Sequence, residues 1–356
     1  MLSVCRNSLK RGTDMKKNSM TASKKSFFGS TILLGNKAII ILIILGLALS
    51  LSTPVFLTST NLLNLLRQIC SSAIVAMGFT FILGLGEIDL SVGSMVGLIG
   101  IIMAKLMTEF NVPVVLAIII GMLCGVIFGT INASLISAID LPPFIVTLAT
   151  QSLFRGGLYI TTNMVPVTSL PASFLKLGQG YLGPIPIPVI IMLVIAAIAY
   201  IISNYSMFGR YVIAMGGNKE ATRVCGINTK RVRLGVYITS GICAALASVV
   251  MTARSASAQI GAGINMEMDV IAAVVIGGTA MAGGSMNIIG TFFGCVIVGM
   301  VTNGMNLLGI NSNFQIVAKG MLILLALVLD RATTRFYANY SRKQALKNEQ
   351  TTMETK

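Results

Sequence analysis

The sequence predicts an all-α integral membrane protein of about ten transmembrane helices, some short or broken, and three observations predict it. Of the 356 residues, 55% are hydrophobic and only 10% are charged, and the mean hydropathy is +0.87. A soluble domain carries about 25% charged residues because its surface faces water. So few charges leave most of a 37.6 kDa globule's surface apolar. Apolar runs of about 20 residues, each able to cross roughly 30 Å of hydrocarbon, resolve the conflict. The basic residues are also clustered, with eight Lys/Arg in residues 1–37, six in 203–233 and six in 331–356.

Taken in order, residues 1–37 form a polar basic tail. The apolar run from Ala38 has no small-x-small cleavage site before Pro54, so it reads as an uncleaved first span rather than a signal peptide. Spans are expected at 38–53, 66–86, 90–107, 113–135, 141–161, 187–203, 234–253, 269–282, 288–307 and 314–330, which makes 38–330 the transmembrane domain. The segment 269–282 is too short to cross alone and reads as a tilted or broken helix. Six spans separate the basic N-terminus from the basic loop 204–233, and four more lead to the basic tail 331–356. Both numbers are even, so the positive-inside rule places all three basic segments in the cytoplasm. Residues 162–186 hold Pro166, Pro171, Pro184 and Pro186, with Pro188 just beyond. They read as a long external loop with a short interfacial helix at Ala172–Leu177.

Composition also excludes several functions. Histidine is absent, which removes imidazole metal sites and His general bases. The six cysteines (Cys5, Cys70, Cys124, Cys225, Cys243 and Cys295) show no CxxC spacing, and those in apolar runs read as small core residues. No metal site is expected. The net charge of +15 is confined to segments flanking spans and lacks any nucleic-acid-binding motif. No Walker GxxxxGK[ST] occurs, so energy for pumping would come from another chain.

Three constellations carry information. The first is Gly84-Leu85-Gly86-Glu87-Ile88-Asp89-Leu90-Ser91-Val92-Gly93-Ser94, with two carboxylates between strongly apolar spans. A charge at bilayer depth faces a cavity or a partner. Asp89 suits an N-cap of the following helix, and Glu87 reads either as part of a cytoplasmic turn or as a pathway residue. The second is Met215 to Ile227 in the basic loop. Asn218 can cap a short helix, Glu220 lies near its positive end and Gly226 stops it. Such a helix is either a lever that enters a partner's groove or a solvated loop. The third runs from Glu267 to Gly309, where Gly277, Gly278, Gly283, Gly284, Gly290 and Gly294 read as helix-packing positions, with Gly283-Gly284 as a break between half-helices. Gly-Ser-Met at 93–95 recurs at 284–286, a trace of an internal repeat. Among isolated polar residues, Arg155 reads as snorkelling, and Arg67 and Lys105 as interface anchors. Asn303 and Asn306 share a face suited to interhelical bonding or ligand contact. The candidate translocation-pathway residues are Asp89, Ser91, Gln151, Gln259, Asn303 and Asn306.

In this order, the motifs resemble the permeases of ABC importers of the ribose/xylose/galactose type. They are the segment Gly86 to Ser94, the GGN…A…GI loop at Gly216-Gly217-Asn218, Ala221 and Gly226-Ile227, the block Ala272 to Gly284 with Gly290, the run Asn303 to Ile310, and the Lys319 to Arg331 end. The resemblance covers about 60 to 335. Glu87 and Asn287 depart from its commonest pattern, where glycine is frequent. It implies a non-catalytic permease that translocates a monosaccharide by alternating access in a bacterial inner membrane, with both termini cytoplasmic. It also implies a cytoplasmic ATPase subunit that holds ATP and Mg, a periplasmic or lipid-anchored sugar-binding protein, a second permease copy and membrane lipid, with no cofactor on this chain. The loop around Gly216, Gly217, Asn218, Glu220, Ala221, Arg223, Gly226 and Ile227 is implied to be the helix that docks on the ATPase. A proton- or sodium-coupled secondary transporter using Glu87, Asp89 and Asp269 is the alternative, although no inverted repeat is visible.

Overall fold

The chain is described by a computed structural model covering residues 37–311, 313–325 and 328. The basic tails expected at 1–37 and 331–356 lie outside the described residues apart from Lys37, as do most of residues 326–330. The long helices are α1 (Lys37–Ser52), α2 (Ser59–Gly84), α3 (Val92–Thr108), α4 (Val114–Ala138) and α5 (Pro143–Thr162). A short α6 (Ala172–Gln179) and a hairpin of β1 (Tyr181–Leu182) and β2 (Ile185–Pro186) follow, and then α7 (Ile187–Tyr205). The hairpin is antiparallel, pairing Tyr181 with Pro186 and Leu182 with Ile185. Next come α8 (Met207–Gly217), α9 (Lys219–Val224) and α10 (Thr229–Ser255). The last are α11 (Met266–Ile276), α12 (Ile288–Leu307) and α13 (Asn313–Leu325).

Among the described residues, five helices, α2, α4, α7, α10 and α12, are long and apolar enough to cross a membrane, and α1, α3 and α13 are shorter apolar helices. Helix α2 extends seven residues before the expected span because Thr58 caps it, its hydroxyl accepting from Asn61 N at 3.3 Å. At 26 residues, it is about 39 Å long.

Helices α2, α10 and α12 form the centre and bury most of their length, whereas only about a quarter of α4 and α7 is buried. Close approach is set by small residues. Gly125 of α4 lies against Gly241 O of α10, and Gly129 against Tyr237 O, so α4 and α10 run antiparallel with touching backbones. Without lipid-excluded hydrophobic force, such van der Waals contact is what holds membrane helices together. Gly121, Gly125 and Gly129 stand outside the packing residues expected from sequence, although their spacing of four is the signal. Gly290 and Gly294, which were expected to pack, do so against Gly277 O and Ala273 O of α11. Helix α3 runs parallel to α10, with Ser248 Oγ donating to Val96 O at 2.7 Å. Between α2 and α12, Asn61 and Asn303 exchange amide hydrogen bonds of 3.1 and 2.9 Å.

Two expected elements differ. The segment 204–233 is helical along most of its length, as α8, α9 and the first turn of α10, because Ser206, Asn218 and Asn228 each cap the helix that follows. The span expected at 269–282 ends at Ile276, only about 17 Å after Met266. Gly278 then takes a left-handed φ of +89°, and irregular backbone continues to Asn287. Gly283-Gly284 therefore lie inside a long break. Asn287 closes it: its Oδ1 accepts from Gly290 N at 2.9 Å and its Nδ2 donates to Gly277 O at 2.9 Å. A glycine here could make neither bond.

Candidate functional site

The site is built around α9. The Asn218 side chain accepts from Ala221 N at 2.9 Å, which satisfies one of the free N–H groups at the helix start. Glu220 lies in its first turn and Arg223 in its last, the favourable placement for the helix dipole. Gly226, at φ +82°, ends the turn. Only Thr222 is buried, while Asn218, Lys219, Glu220, Ala221, Arg223 and Val224 are exposed. Val224, apolar and 86% exposed, sits among charges. The short capped helix expected from sequence is therefore present and faces outward.

Beneath α9 three glycine segments meet backbone to backbone. Gly284 N donates to Gly84 O at 3.0 Å. The Cα of Gly216 lies against Gly84 O and Gly284 N, leaving no room for a Cβ. Gly86 and Gly283, with φ of +75° and +83°, touch across the same point. The end of α2, the end of α8 and the α11–α12 break thus share one contact.

The α2–α3 connector is tied on its other sides by a buried polar cluster. Glu87 Oε1 accepts from Arg233 Nε at 2.7 Å and Nη2 at 2.6 Å, and Arg233 Nη1 donates to Ser137 Oγ at 3.2 Å. Glu87 and Arg233 are 8% and 6% exposed. Of the two expectations for a charge here, a cavity or a partner, Glu87 has a partner, which lies 146 residues away. Asp89 does not cap α3 directly. Ser91 is the cap residue, and Asp89 Oδ1 accepts from Ser91 N at 2.9 Å and Ser91 Oγ at 2.6 Å. Asn132 of α4 donates to Ser91 Oγ at 2.8 Å, and Thr147 of α5 to Ile88 O at 3.2 Å. Three helices, α4, α5 and α10, thus hold this connector.

The remaining candidates are not gathered in one place. Asp89 and Ser91 are fully buried. Gln151 donates to Glu267 Oε1 at 3.1 Å, and Gln259 to Ser257 Oγ at 2.6 Å. Asn303 is engaged by Asn61, and Asn306 accepts from Gln315 at 2.8 Å on the exposed side. Arg155 does not snorkel. It turns inward, where Nη1 donates to Ala262 O at 2.8 Å and Ile260 O at 3.3 Å. Arg67 stacks 4.3 Å above the Tyr181 ring, and Lys105 pairs with Glu109 at 3.0 Å. Among the described residues no group of carboxylates and cysteines is placed to hold a metal ion.

Residues 61–327 match the family described as branched-chain amino acid transport system / permease component. The chain belongs to this permease family. The ribose import permease of Haemophilus influenzae is 39% identical over 302 residues, covering 84% of this chain and 93% of the relative. That of Bacillus subtilis is 41% identical over 292 residues, covering 82% and 90%. The D-allose transport system permease of Escherichia coli is 37% identical over 296 residues, covering 83% and 91%. No solved structure gives a significant match. As a permease component of this kind, the chain is a multi-pass membrane transport subunit and not an enzyme. Its glycine junction, Glu87–Arg233 pair and α9 all fall within the matched residues.

Proposed function

We propose that this permease imports a monosaccharide as half of a pathway completed by a second permease copy, with a cytoplasmic ATPase supplying the energy and an external binding protein delivering the sugar. Relatives at 37–41% identity named for ribose and D-allose support the substrate class. On this reading the chain crosses the bacterial inner membrane ten times, with both termini and α9 cytoplasmic and the long segment 163–186 outside.

The observation that carries the reading is α9 itself, a capped, exposed helix set directly on the glycine junction. Its exposed residues Asn218, Glu220, Ala221 and Arg223, with Gly216, Gly217, Gly226 and Ile227 shaping its ends, would dock in a groove of the ATPase. ATP binding would draw two such helices together, and the junction would pass that motion to α2 and the α11–α12 break. The spans would then expose the path to each side in turn. Gln151 and Gln259 border that path, with Asp89, Ser91, Asn303 and Asn306 supporting it. The engagement of Glu87 by Arg233 and of Asp269 by Lys319 at 2.7 Å argues against free carboxylates cycling protons or sodium.

The test is co-purification with the ATPase and ATP-dependent uptake in proteoliposomes. Glu220→Arg and Gly217→Pro are expected to abolish ATPase association while membrane insertion stays normal. Full assembly in both variants, or uptake driven by a proton gradient without any ATPase, overturns the reading.

A further inference from the structure

A cleft of about 210 Å³ opens between α2, α10, α11, α12 and α13, in the half of the bundle away from α9. From Ser71, on its wall, to Gly84, at the junction, is thirteen residues of helix, or about 20 Å. Its lining sets polar side chains among apolar ones such as Ile69, Met251 and Val298. Gln68, Ser71 and Ser72 come from α2, and Arg254 from the end of α10. Asp269 of α11 and Lys319 of α13 pair across it at 2.7 Å. Lys319 is the one charged residue in Asn313–Leu325, a helix whose Phe314, Val317 and Leu324 are exposed apolar side chains. Ionisable residues within membrane helices are rare and mark ligand pathways or binding sites, and Asp269 and Lys319 offset each other's desolvation by pairing here.

Ser71 supplies an independent sign of a ligand. It is 3% exposed, and its hydroxyl has no hydrogen-bond partner among the described residues. A buried hydroxyl left unpaired costs about 1–3 kcal/mol, a cost that an incoming hydroxyl would remove. The lining offers a donor-only guanidinium and ammonium, an acceptor-only carboxylate, and an amide and hydroxyls that do both. Each hydroxyl of a polyol also donates and accepts, so this mixture suits a polyhydroxylated ring better than an apolar molecule. The space exceeds the roughly 150 Å³ that accommodates a six-carbon aromatic ring.

We infer that this cleft holds one pentose- or hexose-sized polyol in transit, through Ser71, Gln68, Arg254 and the Asp269–Lys319 pair. None of the candidate pathway residues lines it. The inference rests on the importer reading and adds the place within this chain where the sugar pauses.

Its test uses the assembled complex in proteoliposomes. Ser72→Phe and Thr302→Phe replace half-exposed residues at the rim and fill the cleft, so ATP-dependent uptake is expected to fall at least tenfold with assembly unchanged. In a second measurement, Gln68→Cys, with Cys5, Cys124, Cys225 and Cys295 replaced by Ser, is alkylated by a maleimide with and without D-ribose or D-allose. At least threefold slower labelling with one of these sugars, and none with an equal concentration of a phosphorylated pentose, is the expected result. Wild-type uptake in both Phe variants together with sugar-independent labelling overturns the cleft and leaves the importer reading standing. A wild-type complex that imports no monosaccharide overturns both.

Discussion

Glu87 and Arg233 illustrate how much a single pair can decide. Both are buried, and one Glu87 oxygen receives two guanidinium N–H groups. Removing one partner of such a pair costs about 3–5 kcal/mol, because the other is left charged and unpaired, whereas removing both for apolar residues is often near neutral. Glu87→Met or Arg233→Met alone is therefore expected to lower the melting temperature of the purified protein sharply, and the double variant to recover most of it. Equal loss in all three would show that the pair is not coupled. At the glycine junction the contrast is between neighbours. A Cβ on Gly216 would meet the backbone of two other segments, whereas one on Gly217 meets nothing. Gly216→Ala is expected to destabilise by roughly 1–3 kcal/mol through overpacking and to weaken ATPase-coupled uptake. Gly217→Ala is expected to be neutral in both assays.

At the scale of elements, α4 and α10 are held together by touching backbones rather than by interlocking side chains. Gly125→Leu is expected to force these helices apart and prevent a stable fold, seen as proteolysis in the membrane. Leu123→Ala, two residues away and 55% exposed, is expected to leave protein levels unchanged. The cap of α9 is a smaller, local matter. Asn218→Ala is expected to cost about 1 kcal/mol, read as faster amide exchange confined to residues 219–224. The elements that were legible in the sequence are those set by near neighbours. The Asn218 cap, the Gly226 stop and α6 each depend on residues within a turn or two, and all three appear where expected. The Glu87–Arg233 pair was not legible, since nothing in either segment specifies a partner 146 residues distant. The early end of α11 was missed because Gly277-Gly278 sit in an apolar run whose hydropathy continues past the backbone break.

For the whole molecule, the orientation reading predicts opposite faces for the two polar ends. Cysteines introduced one at a time at 220 and 183, in a chain with Cys5, Cys124 and Cys225 replaced by Ser, are expected to react with a membrane-impermeant maleimide from opposite sides of sealed vesicles. Labelling from the same side would overturn the single span expected between them and the cytoplasmic place of α9. Membrane embedding, helical class and the capped α9 follow from the sequence alone, because desolvation of charge and capping of N–H groups act over a few residues. Tertiary structure alone decided what α9 stands on. Gly284 read as a packing position and Gly216 as part of the docking loop, and only the fold brings their backbones and that of Gly84 into one contact. The same holds for the polar cleft, whose Gln68, Arg254, Asp269 and Lys319 come from four helices. Their meeting depends on helix crossing geometry, which no local pattern of residues specifies.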